Sequence, residues 1–120
     1  MILEAIGTIL TPIVDNYPLV GDIEAAPPFA VFEVQQRPIS TKAGINGYSN
    51  TVFITAVAVK IPDLMALSQS IKTAVEAATG STLNGTSIEA ARFREENQRF
   101  DEQFQVNINQ LEFMIYTNNT

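Results

Sequence analysis

"TVFITAVAVKIPDLMALSQSIKTAVEAATG", residues 51–80, carries two patterns back to back. Over 51–60 nearly every position is apolar and Val, Ile, Thr and Phe dominate, which predicts a strand covered on both faces. From there the spacing changes. Leu64, Leu67, Ile71, Ala74, Val75 and Ala78 recur at three and four, the buried stripe of an amphipathic helix. Pro62 fits its first turn, Asp63 favours the positive end of the helix dipole, and Gly80 stops it after Thr79. A strand that runs directly into a helix gives one cover for one face. In a 120-residue chain a second cover is hard to find, and a partner subunit is the economical source of it.

Upstream, Ile2, Leu3, Ile6, Ile9, Leu10 and Ile13 mark one face of a helix over residues 2–14, with Pro12 kinking or fraying its last turn. Its polar face has no Lys or Arg, which argues against a membrane-surface helix. "NYPLVGDIEAAPPF" reads as an extended connection with a short strand at Leu19–Val20, and Pro27-Pro28 blocks helix before the next element. Residues 29–37, "FAVFEVQQR", read as a strand; Pro38 ends regular pairing or marks a sheet edge. Downstream, Asn84-Gly85 is a turn, and residues 87–97 and 104–116 are two strands joined by a charged bend at Gln98–Gln103. In the last strand Val106 and Ile108 share one face while Leu111, Phe113 and Ile115 share the other, which predicts a bulge or bend near Asn109. The order is α-β-β-α-β-β. It implies an α+β fold in one domain over 1–120, with a single antiparallel sheet and an N-terminal and a central helix packed on it.

Composition excludes much chemistry. The chain has no Cys and no His, so thiolate nucleophiles, Ser-His-Asp triads, disulfides and Cys/His metal sites are impossible. Seven Lys and Arg against thirteen Asp and Glu leave a net charge of −6, the wrong sign for gripping nucleic acid phosphates. That acidity serves solubility, or lines a path that DNA must pass without sticking. Residues 1–10 lack a basic n-region and contain Glu4, unlike a signal peptide, and no run approaches the length of a membrane span. "NGT" at 84–86 and "NNT" at 118–120 match the glycosylation pattern by chance, "KAGING" lacks the context of a phosphate loop, and the three tyrosines are scattered. No cofactor or metal is expected.

Two regions remain as functional candidates. "RPISTKAGINGYSNT", residues 37–51, is a long polar flap with Asn46-Gly47 as its expected tip; it is either a loose loop or an arm that orders against a neighbouring subunit. The second hairpin gathers Glu95, Glu96, Asp101 and Glu102 with Arg92, Arg94 and Arg99. Carboxylate pairs suit acid–base work or a divalent metal, but interleaved arginines would neutralise a metal site and favour a solvated, salt-bridged hairpin or a subunit contact.

The layout resembles the tail-completion, or tail-terminator, proteins of long-tailed bacteriophages and prophages. The resemblance is carried by "YPLVGDIEAAPPFAVFEV", by "VFITAVAVKIPD" leading into "LMALSQSIKTAVEAA", and by "LNGTSIEAARFREENQRFDEQFQVNINQLEFMIY". It implies a non-enzymatic virion protein, made in the bacterial cytoplasm, that forms a hexameric ring at the head-proximal end of the tail. The ring caps the tail tube, ends its growth and meets the head connector, while DNA passes through the lumen unbound. The implied subunit contacts are Arg37, Lys42, Ile45, Asn46 and Tyr48 of the flap, and Arg94, Glu95, Glu96, Arg99 and Phe100 of the hairpin. A Gly- and Ser-rich flap departs from what a rigid contact needs. The competing readings are a small-ligand or peptide-binding regulatory or immunity module, with the flap as lid, and a carboxylate-dependent enzyme using Glu95 or Glu96.

Overall fold

The computed structural model describes residues 2–18, 26–41 and 44–118. Two helices and six strands follow in the order α1 (Ile2–Leu10), β1 (Asn16–Pro18), β2 (Phe29–Thr41), β3 (Gly44–Ala58), α2 (Ile61–Ala77), β4 (Thr82–Leu83), β5 (Thr86–Asp101) and β6 (Val106–Asn118). The sheet order is β1-β2-β3-β6-β5-β4. The sheet is mixed, not purely antiparallel: β1 runs parallel to β2, with Asn16, Tyr17 and Pro18 opposite Ala30, Val31 and Phe32. The Ala30 N–H also donates to the Asp15 carbonyl at 2.9 Å, which aligns the two segments in the same direction. The two short edge strands β1 and β4 extend the expected element order. The predicted strand at Leu19–Val20 lies outside the described residues.

Both helices pack on one face of the sheet, because that is where the apolar alternation points. Ile2, Ile6, Ile9 and Leu10 of α1 and Leu64, Ile71 and Val75 of α2 meet Phe32, Val52, Ile54, Ala56, Leu111, Phe113 and Ile115 in one buried cluster. Each buried Val, Leu, Ile or Phe side chain here contributes roughly 1.5–3 kcal/mol. Around Pro12 the chain continues as a turn, with the Val14 N–H donating to Leu10 O at 3.0 Å. Pro62 lies in the first turn of α2 as expected, and Gly80 adopts φ 83° just beyond its end. Asn84 and Gly85 have φ of 50° and 78°, the left-handed pair that a tight hairpin demands. The Asn84 amide also donates to Glu4 O and to Thr8 Oγ1, tying this turn to α1.

Three expectations change. The polar flap is β-structure: β2 and β3 pair continuously from Phe29↔Val57 out to Thr41↔Gly44. Pro38 sits within β2 opposite Tyr48, and β2's other neighbour reaches only as far as Phe32, so its missing N–H falls on an open edge. Asn46-Gly47 is not the tip. Ile39 pairs with Gly47 and Ser40 with Ile45, which leaves Asn46 as the extra residue of a bulge. Finally, β6 contains no bulge at Asn109. Its pairing with β3 is unbroken from Asn107 to Asn118, while register shifts fall in β5 at Ile88/Ala90 and Phe93/Glu95. The phase slip is real but has another cause: Val106 and Ile108 bury against Val57 and Phe29 on the face away from the helices.

Gly47 is required for a reason other than a turn. A Cβ there would fall well inside contact distance of the Thr117 carbonyl oxygen, a backbone atom that cannot swing aside. Gly47→Ala is expected to cost about 1–3 kcal/mol, read as a lower urea midpoint, with the β3–β6 amides near Gly47 exchanging fastest. Unchanged stability would mean that β6 can part from β3 at its C-terminal end without loss.

Candidate assembly surface

Alternation places Phe29, Val31, Glu33, Gln35, Arg37 and Ile39 of β2 on the face away from the helices. Thr51, Phe53, Thr55 and Val57 of β3 lie beside them, followed by Val106, Ile108, Gln110, Glu112, Met114 and Tyr116 of β6. Ala90, Arg92, Glu95, Asn97, Arg99 and Asp101 of β5 complete the face. No described helix packs on it, although at one end Val57, Val106 and Ile108 bury one another together with Phe29. β3 was expected to be buried on both sides, yet Thr51, Phe53 and Thr55 are only half-buried. Over residues 51–55 this apolar strand therefore has its second side partly open, while Val57 further along the same side is buried.

Charges on this face balance. Glu33, Glu95, Asp101 and Glu112 are matched by Arg37, Arg92 and Arg99 together with Arg94, whose Nε lies 3.6 Å from Glu112 Oε2. All four arginines of the chain are thus on or at the sheet face, and the net −6 is carried by the remaining residues. Glu95 stands directly opposite Glu112, a like-charge cross-strand pair that Arg94, displaced by the β5 bulge, relieves.

The proposed contact residues fall into two separate groups. Arg37 is exposed opposite Ser49, and half-buried Tyr48 lies opposite Pro38. Ile45 and Asn46 belong to β3 at the bulge, and Lys42 lies outside the described residues. Phe100 is paired with Asn107, and Asn107 with Ala58. Ten residues of β3 separate Tyr48 from Ala58, about 33 Å of strand, in a molecule 51 Å long. The flap and the tip of the second hairpin, Arg99 and Phe100, therefore occupy opposite ends of the sheet. Arg94, Glu95 and Glu96 lie mid-sheet, with Glu95 opposite Glu112 and Glu112 opposite Phe53. The hairpin's charged bend is also displaced. β5 runs to Asp101, the turn is 102–105 with Gln105 at φ 54°, and the Phe104 N–H donates to Asp101 Oδ1 at 3.1 Å. Arg94, Glu95 and Arg99 belong to the open face. Glu96 and Phe100 face the helix side, where Glu96 pairs with Lys72 and the Lys72 ammonium sits 4.7 Å from the Phe93 ring centre. That half-buried ion pair contributes at most about 1 kcal/mol.

Four residues that sequence reasoning missed join Phe100 at its end of the molecule: Val59, Ile61, Met65 and Phe104. Gln98 contacts the Met65 sulfur and Asn107 donates to Val59 O at 3.0 Å, so the end of β3, the start of α2 and the β5–β6 turn form one surface. Among the described residues, every large hydrophobic side chain more than 45% exposed lies there. An isolated Phe104 inside the polar run "DEQFQ" was the available signal.

Among the described residues no helix is long and apolar enough to cross a membrane. No family model and no curated relative matches the sequence. Solved structures do match. A chain from the virion of a native gene transfer agent particle has a TM-score of 0.71 to this one, covering 95% of this chain and 84% of its own, at 14% identity. At that identity the likeness is one of fold.

Proposed function

We propose that the chain is a non-enzymatic, phage-like virion protein that assembles as a ring, with six subunits, at the head-proximal end of a tail tube. There it ends tube growth and meets the head connector. The observation that carries the reading is the near full-length fold likeness to a chain of a gene transfer agent virion. Two features of this chain support it. The sheet leaves one face open with Phe53, Met114, Tyr116 and four arginines on it, residue types enriched in protein interfaces. In addition, the flap and the tip of the second hairpin are two different surfaces at opposite ends of the sheet, compatible with the head-to-tail contact from which a ring is built. Because the sheet face is neutral, an acidic lumen that lets DNA slide would be formed by the helix-bearing side.

Native mass across a concentration series, with negative-stain imaging, tests the ring; adding the protein to growing tail tubes tests the cap. Rings of about six copies and tubes of arrested length are expected. A protein that leaves tube length unchanged and is absent from tube ends overturns the reading. A monomer that binds a small ligand or peptide would support the regulatory alternative instead.

A further inference from the structure

We infer that the ring contact joins the two ends of neighbouring copies: the β2–β3 arm of one chain sits on the apolar end patch of the next. This deepens the ring reading and rests on it. The end patch combines Val59 at 57% exposure, Ile61 at 59%, Met65 at 48%, Phe100 at 51% and Phe104 at 68%. These side chains come from the end of β3, the start of α2, and β5 with its turn into β6, and the Gln98–Met65 and Asn107–Val59 contacts hold these segments together. Scattered exposed hydrophobics are ordinary on a monomer, but a contiguous group confined to one end marks a docking surface.

Its occupant is a second copy for two reasons. The first is charge. From Val34 to Lys60 the sequence has no carboxylate, and Arg37 projects from the arm. The end patch is instead flanked by Asp63, Asp101 and Glu102 against Lys60 and Arg99. An acid-free basic arm thus meets an acid-flanked apolar surface, and the same arrangement resists arm-to-arm and patch-to-patch pairing. The second is geometry. A closed ring needs two different, complementary surfaces on each chain, and these two lie at opposite ends of the 51 Å molecule. The arm also has apolar substance of its own in Ile39, 39% exposed, next to Pro38. The open backbone edges of β2 and β5 are poorer joints. Pro38 removes a donor from the first, and two bulges and a run of charges interrupt the second.

Two variants at exposed positions test the pairing, Ile39→Asp on the arm and Phe104→Asp on the patch. Each keeps the wild-type melting temperature within a few degrees. Each is expected to weaken self-association about 30-fold or more and to stay monomeric where wild type forms rings. Mixed in equal amounts they give a species of twice the 13.1 kDa chain mass and nothing larger. The intact arm of Phe104→Asp engages the intact patch of Ile39→Asp, and both remaining ends are dead. Variants that still form rings overturn the inference while leaving the ring reading standing. So does a mixture that stays monomeric, because the two surfaces then do not face each other. Wild type that is monomeric even at millimolar concentration also overturns the end-to-end contact, and only the tube assay then bears on the cap.

Discussion

Phe113→Ala is expected to lower folding stability by about 3–5 kcal/mol, read as a fall in urea midpoint at unchanged m-value. Phe113 has no exposed surface and lies mid-way along β6, opposite Val52 on one side and Phe93 on the other. It meets Phe93 edge-to-face at 5.7 Å and belongs to the cluster that joins both helices to the sheet. Truncation removes its transfer free energy and leaves a cavity that β6 cannot close, because the strand is pinned between β3 and β5. A domain with roughly 5–15 kcal/mol of total stability loses a large part of it. Phe104→Ala is the matched control: a more exposed Phe whose loss stays within about 0.5 kcal/mol. Equal effects at the two positions would mean that the core is not centred on β6.

The contrast between these phenylalanines shows where the sequence was legible. Periodicity finds a residue that shares a face with its neighbours. Phe113 alternates with Leu111 and Ile115, and Leu64, Ile71 and Val75 keep helical spacing, so strand and helix were read correctly together with the Pro62 start and Gly80 stop. Periodicity is silent about what covers a face. Val59 and Ile61 extend an apolar run and look like core, yet they sit where strand gives way to helix, beyond the sheet's cover. β1 left no signal at all. It is three residues long, contains Pro18, and is held by register with Ala30–Phe32 rather than by its own propensity.

The dipeptide Asn-Gly occurs twice and behaves differently each time. At 84–85 both residues take positive φ and make the turn. At 46–47 the strands on either side are long enough to keep pairing, so the dipeptide becomes a bulge, and Gly47 serves the close approach of Thr117. Local turn preference is worth little against a ladder of backbone hydrogen bonds, and nothing in residues 37–51 alone reveals that β6 lies alongside them. The charged hairpin shows the same limit of reading residues in chain order. Residues adjacent in sequence alternate in space, so Glu95 and Glu96 face opposite sides of the sheet and share no site.

Asn50→Asp is expected to cost about 3–5 kcal/mol at neutral pH, the scale of an unpaired buried charge. Asn50 is fully buried at the base of the arm. Its amide donates to the Ile115 carbonyl at 3.0 Å and to Thr117 Oγ1 at 3.2 Å, and its own oxygen accepts from Gln36 Nε2 at 2.9 Å. The Thr117 hydroxyl can turn to donate to a carboxylate, but the Ile115 carbonyl cannot, so the substitution sets two oxygens against each other. Asn50→Ala removes the same bonds without a charge and costs less, about 1–3 kcal/mol. The two variants part in their pH dependence. Burial and the facing carbonyl raise the new carboxyl's pKa above its unfolded value, so the folded state binds the proton more tightly. The Asn50→Asp variant is therefore most stable below the unfolded carboxyl's pKa and loses that stability as pH rises through the raised folded value. The Asn50→Ala variant lacks this added dependence. Hydrogen exchange locates the damage. Loss of protection confined to residues 36–50, with α2 still protected, identifies Asn50 as the anchor that holds the arm to β6. Uniform loss across the sheet and helices would reduce it to one more core position.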